Sequence, residues 1–193
     1  MGDPKRPRKK YETPRFPWRR DRLESELGVL GGYGLRNKRE LWRHHTSLSN
    51  YRKTARSLLA AAPEQRLKGE KDLLGGLFRL GVLDENATID DIFNLRVEDL
   101  LDRRLQTLVH RLGFSVSPWQ ARQLIVHGHI FVGERRVTSP SYLVHRGEEE
   151  KIDYSLHSPL SDPGHPLRET VGATGVKSVA EPESVQKAER DGE

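Results

Sequence analysis

Two histidines, His127 and His129, flank a single glycine in the segment "SPWQARQLIVHGHIFVGERRV". A zinc site would need two further ligands beside them, but the neighbouring sequence supplies arginine, glutamine and aliphatic residues. Catalysis by histidine would need a nucleophile or a carboxylate partner, and we identify neither nearby. We therefore predict no metal, no other cofactor and no catalytic residue at this pair.

The charge around the two histidines indicates a different chemistry. Arg104, Arg111 and Arg122 belong to the same region, together with Gln120. Guanidinium groups donate paired hydrogen bonds to phosphates, and amide and imidazole groups contact sugars or base edges. The composition predicts a cationic edge suited to a nucleic acid. The alternative, for each histidine taken alone, is an ordinary surface position.

Two predicted helices must position these side chains, and the first covers residues 97–112. Helical spacing places Arg104 and Arg111 together along one edge of its core stripe, with Arg103 and His110 on the opposite, solvent side. The core stripe consists of Leu101, Leu105, Leu108 and Leu112.

The second predicted helix covers residues 118–127. Ser117 is its N-cap, Pro118 takes the first helical position, and Gly128 ends it because glycine accepts a left-handed conformation. Arg122 borders the buried stripe. That stripe consists of Ala121, Leu124 and Ile125, and a separate polar stripe consists of Gln120, Gln123 and His127. Beyond the helix, "HIFV" and "RRVT" alternate like the strands of a hairpin that turns at Gly133 and Glu134.

A basic extended arm, residues 1–36, is predicted to precede these elements. Its opening holds four prolines and few apolar residues, so we expect it to become ordered only on a partner. A weak helix is predicted over residues 19–27, followed by a flexible glycine-rich hinge over residues 28–34.

A helical domain, residues 37–100, is predicted between the arm and the cationic edge. Asn37 is expected to cap a helix that extends to residue 62, and Pro63 to open a second helix over residues 63–80. The second helix places Leu67, Leu74 and Phe78 on one face, and Thr88 caps a further helical region. The basic groups of the first helix appear all round it: Lys38, Arg39, Arg43, Arg52, Lys53 and Arg56.

Charge is distributed unevenly over the 193 residues. Residues 1–56 contain 16 Lys/Arg and 6 Asp/Glu, whereas the remainder contains 17 and 22. Such asymmetry indicates a polyanionic partner, with RNA, DNA or a membrane surface as candidates and a solvated tail as the alternative. No apolar run reaches the roughly 18 residues of a membrane span and no signal peptide is evident, so we expect neither a membrane-spanning segment nor export. Of the candidate partners we favour a nucleic acid and expect no membrane partner. The absence of cysteine excludes disulfides and thiolate metal clusters.

A family resemblance covers residues 103–154, "RRLQTLVHRLGFSVSPWQARQLIVHGHIFVGERRVTSPSYLVHRGEEEKIDY". This segment resembles the RNA-binding module named after the fourth protein of the small ribosomal subunit. The positions that match its pattern are Arg104, Arg111, Ser117, Ala121, Arg122, Leu124, Ile125, Gly128, Ile130 and Val132. The sequence departs from the pattern at Gln106, where many members have aspartate, and at Gly133-Glu134, which replaces Asn-Gly and favours a type II′ turn.

The N-terminal part resembles the archaeal and eukaryotic-type ribosomal protein that carries this module, through "MGDPKRPRKKYETPRFPW", "LRNKRELWR" and "LDRRLQT". The resemblance implies a cytoplasmic, non-enzymatic protein of the ribosome that binds small-subunit rRNA near a multi-helix junction early in assembly. It also implies contacts with neighbouring small-subunit proteins and with mRNA where it enters the subunit, and support for translational accuracy.

The expected fold is α+β, with the arm, the helical domain, an RNA-binding domain at residues 101–155 and an irregular tail at residues 156–193. In the RNA-binding domain, two short helices pack on a small antiparallel sheet. The residues predicted to contact RNA are Arg103, Arg104, Arg111, Ser117, Gln120, Arg122, Gln123, His127, His129, Arg135, Arg136, Lys38, Arg39, Arg43, Arg52, Lys53 and Arg56.

Two alternatives stay open at this stage. An RNA-modifying or accessory protein with the same module would need a paired acid or nucleophile in a pocket. A DNA-binding regulator could use the two helices joined by "GFSVS" as a helix-turn-helix, although three aliphatic residues and one arginine make the second helix a poor reader of a major groove.

Overall fold

The computed structural model describes residues 9–156, 158–162 and 164–168. Seven helices and three strands are assigned within these ranges, and the expected α+β class is confirmed. The helices are α1 (Arg20–Gly32), α2 (Lys38–Leu59), α3 (Pro63–Arg79), α4 (Ile89–Asn94), α5 (Val97–Asp102), α6 (Leu105–Arg111) and α7 (Pro118–His127). The strands are β1 (Ile130–Val132), β2 (Arg135–Arg136) and β3 (Ile152–Tyr154), in the antiparallel order β2-β1-β3.

The helix starts predicted from local signals are confirmed. The Asn37 side chain accepts a hydrogen bond from the Glu40 amide at the start of α2, and Pro63 opens α3. At the start of α4, the Thr88 amide donates to the Asp91 carboxylate at 2.8 Å. These groups satisfy amides that the first turn of a helix leaves unpaired.

Residues 1–8 lie outside the described residues, but from residue 9 onward the N-terminal region is more ordered than its composition predicts. Helix α1 continues through Gly28 as far as Gly32, so the flexible hinge predicted there is wrong. Val29 and Leu30 of α1 pack on a small buried cluster of Leu35, Leu41 and Leu101, and this burial offsets the poor helix propensity of the glycines. The described part of the arm also lies on α2, since the Tyr11 ring is 6.1 Å from that of Trp42.

The long helix predicted over residues 97–112 is wrong, because it is interrupted at Arg103 and Arg104. Arg104 has an extended conformation, with φ −73° and ψ 140°, and pairs with Leu143 as an antiparallel bridge. The Val144 amide donates to the Arg103 carbonyl at 2.9 Å, and the Leu105 amide donates to the Tyr142 carbonyl at 2.8 Å. Pairing with a distant segment therefore replaces one helical turn. Leu112, predicted in the core stripe, is 49% exposed.

The second predicted helix and the hairpin are confirmed. In α7, Ser117 accepts from the Gln120 amide, and Gly128 ends the helix at φ 76°. In the hairpin, Phe131 pairs with Arg136 and Val132 pairs with Arg135. Only glycines have positive φ among the described residues, which excludes a type I′ turn at Gly133-Glu134 and agrees with type II′.

Two main hydrophobic clusters hold the helices and the sheet. One lies between α6, α7 and the sheet and includes Leu105, Ile125 and Ile130. The other joins α2, α3, α4 and α5, where Leu77 is buried and Leu67, on the predicted face of α3, is 61% exposed.

The segment after β3 is not wholly irregular. Pro159–Ser161 form a 3-10 turn that buries Leu160 in the first cluster, so that part of the predicted tail is wrong. Residues 169–193 lie outside the described residues. Among the helices that the structure describes, none is both long and apolar enough to span a membrane.

Candidate RNA-binding surface

The predicted contact residues separate into two main groups in the structure. One group, Arg104 and Arg122, contacts α2 in the interior. We call these two arginines, together with Glu40, His44 and Gln106, the junction. The other group lies on α7 and the hairpin at the surface, and we call it the outer face: Gln120, Gln123, His127, His129, Arg135 and Arg136.

At the junction, one carboxylate binds two of the predicted contact residues. Glu40 accepts from Arg104 Nη2 at 2.9 Å, and from the Nη2 and Nη1 atoms of Arg122 at 2.7 and 3.2 Å. The Arg104 side chain is only 1% exposed. The expectation that it lies on an exposed edge beside Arg111 is therefore wrong, because the helix break turns it inward towards α2.

The charges of the junction compensate one another. Burial raises the pKa of Glu40, but the hydrogen bond from Arg122 and the charges of Arg104 and Arg122 outweigh that effect and hold its pKa below the usual range. Burial and the charge of Arg104 lower the pKa of His44 to about 4. His44 is therefore neutral at pH 7. Since arginine only donates, the His44 Nε2 atom accepts the bond from Arg104 Nη1 at 3.2 Å.

Gln106 joins three segments of the junction. Its side chain is fully buried, and its amide nitrogen lies 2.8 Å from the Gly34 carbonyl and 3.0 Å from the Pro118 carbonyl. Its amide oxygen accepts from Arg122 Nη1 at 3.2 Å. An aspartate, which many members of the resembled family have here, could not donate to these carbonyls. Gln106 thus holds the end of α1 against the start of α7.

The side chains of Arg103 and Arg111 are both more exposed than that of Arg104 at the junction. Arg103 is 14% exposed and binds Glu149 and the Val144 carbonyl, so its predicted solvent-side position is wrong. Arg111 is 41% exposed and binds Asp102. Each guanidinium already has an acidic partner within the chain, and the exposed Arg111 does not share an edge with the buried Arg104.

The outer face retains the polar stripe predicted for α7. Gln123 and His127 are exposed, Gln120 is half-buried, and its amide oxygen accepts from the Val116 amide at 2.7 Å. The rings of His127 and His129 lie 6.3 Å apart, and His129 Nδ1 is 2.9 Å from the Ser158 hydroxyl. Ser117, also predicted to contact RNA, is half-buried and caps α7.

Two exposed arginines of β2 complete the outer face. Arg135 and Arg136 have no carboxylate within ion-pair distance in the described ranges. Arg136 Nη2 donates to the His127 carbonyl at 3.0 Å, which brings its guanidinium to the end of α7. A side chain at position 128 would meet that guanidinium, so Gly128 both ends the helix and leaves space for Arg136.

The basic residues of α2 are not all round the helix as predicted. At about 100° per residue, Arg39, Arg43 and Lys53 lie within an arc of about 80°, and all three are exposed. They lie opposite the buried Leu48. The others are partly engaged: Lys38 binds Glu26 at 3.1 Å, Arg52 donates to the Leu95 carbonyl at 2.6 Å, and the exposed Arg56 donates to the Arg52 carbonyl at 3.3 Å.

Sequence reasoning missed Glu40 and His44, and it noted Gln106 only as a departure from a pattern. Glu40 is the one acid between residues 37 and 63, a stretch with six basic residues, and that isolation was an available signal. The sequence holds no comparable signal for His44, since nothing distinguishes it from the adjacent histidine, His45. Within the described ranges, no group of three or more His, Asp or Glu side chains could hold a metal ion.

Comparisons with known proteins identify the family of the chain. The family model for the ribosomal protein S4/S9 N-terminal domain matches residues 5–102, and the S4 domain model matches residues 103–149. The chain is 55% identical to small ribosomal subunit protein uS4 of Hyperthermus butylicus, over 83% of this chain and 92% of the relative. It is 53% identical to that protein of Metallosphaera sedula, over 84% and 91%, and 54% identical to that of Ignicoccus hospitalis, over 82% and 96%. The chain belongs to the ribosomal protein S4/S9 family, and the arginines of both the junction and the outer face lie in its S4 domain.

Proposed function

We propose that this protein is a non-enzymatic constituent of the small ribosomal subunit that binds small-subunit rRNA in the cytoplasm. The similar proteins are named as small ribosomal subunit proteins, and they match this chain over more than nine tenths of their own length. The observation that carries the proposal is the presence on the outer face of two exposed arginines, Arg135 and Arg136, that have no acidic partner among the residues the structure describes.

The two groups of arginines have different roles in this proposal. Arg135 and Arg136, together with Arg39, Arg43 and Lys53 of α2, neutralise phosphates and release counterions, which gives affinity without sequence information. Gln123 and His127 contact sugars or base edges of a folded RNA. Arg103 and Arg111 add weaker phosphate contacts, because each retains an acidic partner. Arg104 and Arg122 act indirectly by fixing α7 on α2.

The family resemblance supports the wider part of the proposal. The protein binds near a multi-helix junction of the rRNA at an early stage of assembly, and later contacts neighbouring small-subunit proteins and mRNA where it enters the subunit. Support for translational accuracy would follow from that position.

Filter binding to a transcript of the first domain of small-subunit rRNA tests the proposal. The Arg135→Ala/Arg136→Ala double variant should bind more weakly, and the slope of log affinity against log salt should become shallower by about one to two. The matched control removes two exposed arginines that already have acidic partners, Arg20→Ala/Arg66→Ala, and should change the slope less.

Duplex DNA of equal length provides the second arm of the test. Folded rRNA should bind more tightly than the duplex at equal ionic strength, because an S4 domain is expected to recognise RNA shape. Equal affinity for the duplex, or an unchanged salt slope in the double variant, would contradict the proposal.

A further inference from the structure

A pocket of about 530 Å³ opens between α7 and the segment that follows β3. This volume is typical of sites that take a small organic group. The α7 side contributes one wall and the region of the 3-10 turn contributes the other. The residues that line it are Gln120, Gln123, Leu124, His127, His129, Pro159, Leu160, His165 and Leu167.

The pocket has an apolar floor and a neutral polar rim. Leu124 and Leu160 are 7% and 5% exposed and form its floor, whereas Gln123 and His127 are exposed at its rim. No Lys, Arg, Asp or Glu is among its lining residues. A phosphate or a carboxylate would therefore lack a formal charge to pair with inside the pocket. A flat group with apolar faces and hydrogen-bonding edges fits it better.

Two of the lining histidines are fixed by one ring nitrogen. His165 Nδ1 accepts from the Leu167 amide at 3.2 Å, and its Nε2 atom has no hydrogen-bond partner within the described part of the chain. The Ser158 hydroxyl accepts from the Leu160 amide at 3.1 Å, so its own proton can go to His129 Nδ1 at 2.9 Å. In this arrangement the Nε2 atom of His129 also has no partner among residues 9–156, 158–162 and 164–168. The rings are thus oriented before a ligand arrives, which lowers the entropic cost of binding.

An exposed arginine lies beside the pocket. The Arg136 guanidinium is held at the carbonyl of His127, a residue of the pocket rim, and it does not itself line the pocket. A cavity without charged lining residues, next to an exposed arginine, matches the two parts of a nucleotide, the base and its phosphate.

We infer that this pocket takes one unpaired rRNA nucleobase turned out of its stack, with the adjoining phosphate on Arg136. The inference rests on the proposed function. Sequence-specific RNA recognition commonly uses splayed bases that stack on aromatic rings, including histidine, while polar side chains bind their edges. Here the imidazoles supply the stacking faces, and the amides of Gln120 and Gln123 lie close enough to the rim to reach the base edge.

Chemical probing of the rRNA transcript tests the inference. Base-specific reagents and a ribose-acylating reagent are applied to the transcript alone and with the full-length protein. Binding should protect the Watson–Crick edge of one unpaired base and raise the reactivity of its ribose. The Gln123→Trp variant, which places a large side chain at the pocket rim, should lose both signals.

The matched control is Val126→Trp, an exposed position of the same helix that does not line the pocket. It should keep the base protection and bind like the unmodified protein. Gln123→Trp should bind between about five- and hundredfold more weakly, the range expected for loss of one stacked base. Circular dichroism verifies that both variants keep their helices.

The outcomes separate the inference from the proposed function. If the unmodified protein does not bind the transcript, the proposed function fails. If it binds and Gln123→Trp gives the same affinity and the same base protection, the pocket holds no base and the inference fails. Protection of riboses and phosphates alone would also overturn it, as would cross-linking of the pocket only to another ribosomal protein in assembled subunits.

Discussion

The junction and the outer face contain the same residue types and use them differently. At the junction, Arg104 and Arg122 bind one carboxylate, that of Glu40, in a largely buried setting. On the outer face, Arg135 and Arg136 are exposed and lack an acidic partner in the part of the chain that the structure describes. The presence or absence of a carboxylate partner therefore distinguishes the arginines that stabilise the fold from those that we propose to contact RNA.

The largest effect is expected from Glu40→Ala, which removes the only acid of the junction. Two guanidinium groups would stay in a buried setting without their counter-charge, and such a loss costs about 3–5 kcal/mol. The free energy of unfolding, from urea titration followed by circular dichroism, should fall by that amount. If the free energy of unfolding fell only as much as it does when an exposed ion pair is removed, the junction would not hold α2 on the S4 domain.

Glu24→Ala is the matched control for that measurement. Glu24 binds Arg20 one helical turn away, with side chains 63% and 89% exposed. Because solvent screens such a pair, its removal should change the free energy of unfolding by no more than about 0.5 kcal/mol. The difference between the two variants measures how much more it costs to remove a glutamate that pairs two largely buried arginines than one that pairs an exposed arginine.

A smaller loss, of about 1–3 kcal/mol, is expected for Gln106→Ala. The variant leaves the carbonyls of Gly34 and Pro118 without their donor in the interior. It should also loosen Arg122, whose Nη1 donates to the Gln106 amide oxygen. Urea titration gives the loss, and Gln123→Ala, an exposed position on α7, is the control. Equal stability of the two variants would contradict a joining role for Gln106.

Local signals account for what the sequence predicted correctly. Helix α7 is bounded by Ser117, Pro118 and Gly128, and each acts on backbone within a few residues of itself. The hairpin follows in the same way from strand alternation around Gly133. Such signals can be read from the sequence because the residues that cause them lie within the same short segment.

The errors arose where distant segments decide the structure. The break before Leu105 exists because residues 142–144 pair with the backbone there, about forty positions further along the chain. The burial of Arg104 depends on Glu40, which is separated from it by 64 positions. Helical periodicity holds no information about either contact. The positions of the outer-face residues were predicted more reliably, because they follow from α7 and the hairpin, two elements set by local signals.

The pH dependence of the free energy of unfolding provides a third test of the junction. Since the folded pKa of His44 is about 4 against an ordinary value of 6.5, the unfolded chain binds an extra proton between these two pH values. Stability is therefore lost as pH falls from 6.5, with a slope from this group of up to about 1.4 kcal/mol per pH unit. The lowered pKa of Glu40 acts in the same direction at still lower pH.

Urea titrations at several pH values between 4 and 7 measure this slope. His44→Gln should make it shallower, although the lowered pKa of His45 leaves part of it in place. Asn50→Gln, at an exposed position of α2, controls for the substitution and should keep the original slope. A His44→Gln variant with an unchanged slope would mean that His44 takes up its proton equally in the folded and unfolded chain.

The smallest effect, about 1 kcal/mol, is expected for Gly128→Ala on the outer face. Alanine is strained at φ 76°, and its Cβ would lie within 2.4 Å of the Arg136 guanidinium. Because that guanidinium ends a flexible side chain, it can move away, so most of the cost is backbone strain. Although the loss of stability is small, the Arg136 side chain should change its position, since it would lose its bond to the His127 carbonyl. Urea titration together with rRNA binding distinguishes the two consequences: a loss of affinity larger than the Arg136→Ala variant shows would mean that the glycine positions more of the outer face than this one arginine.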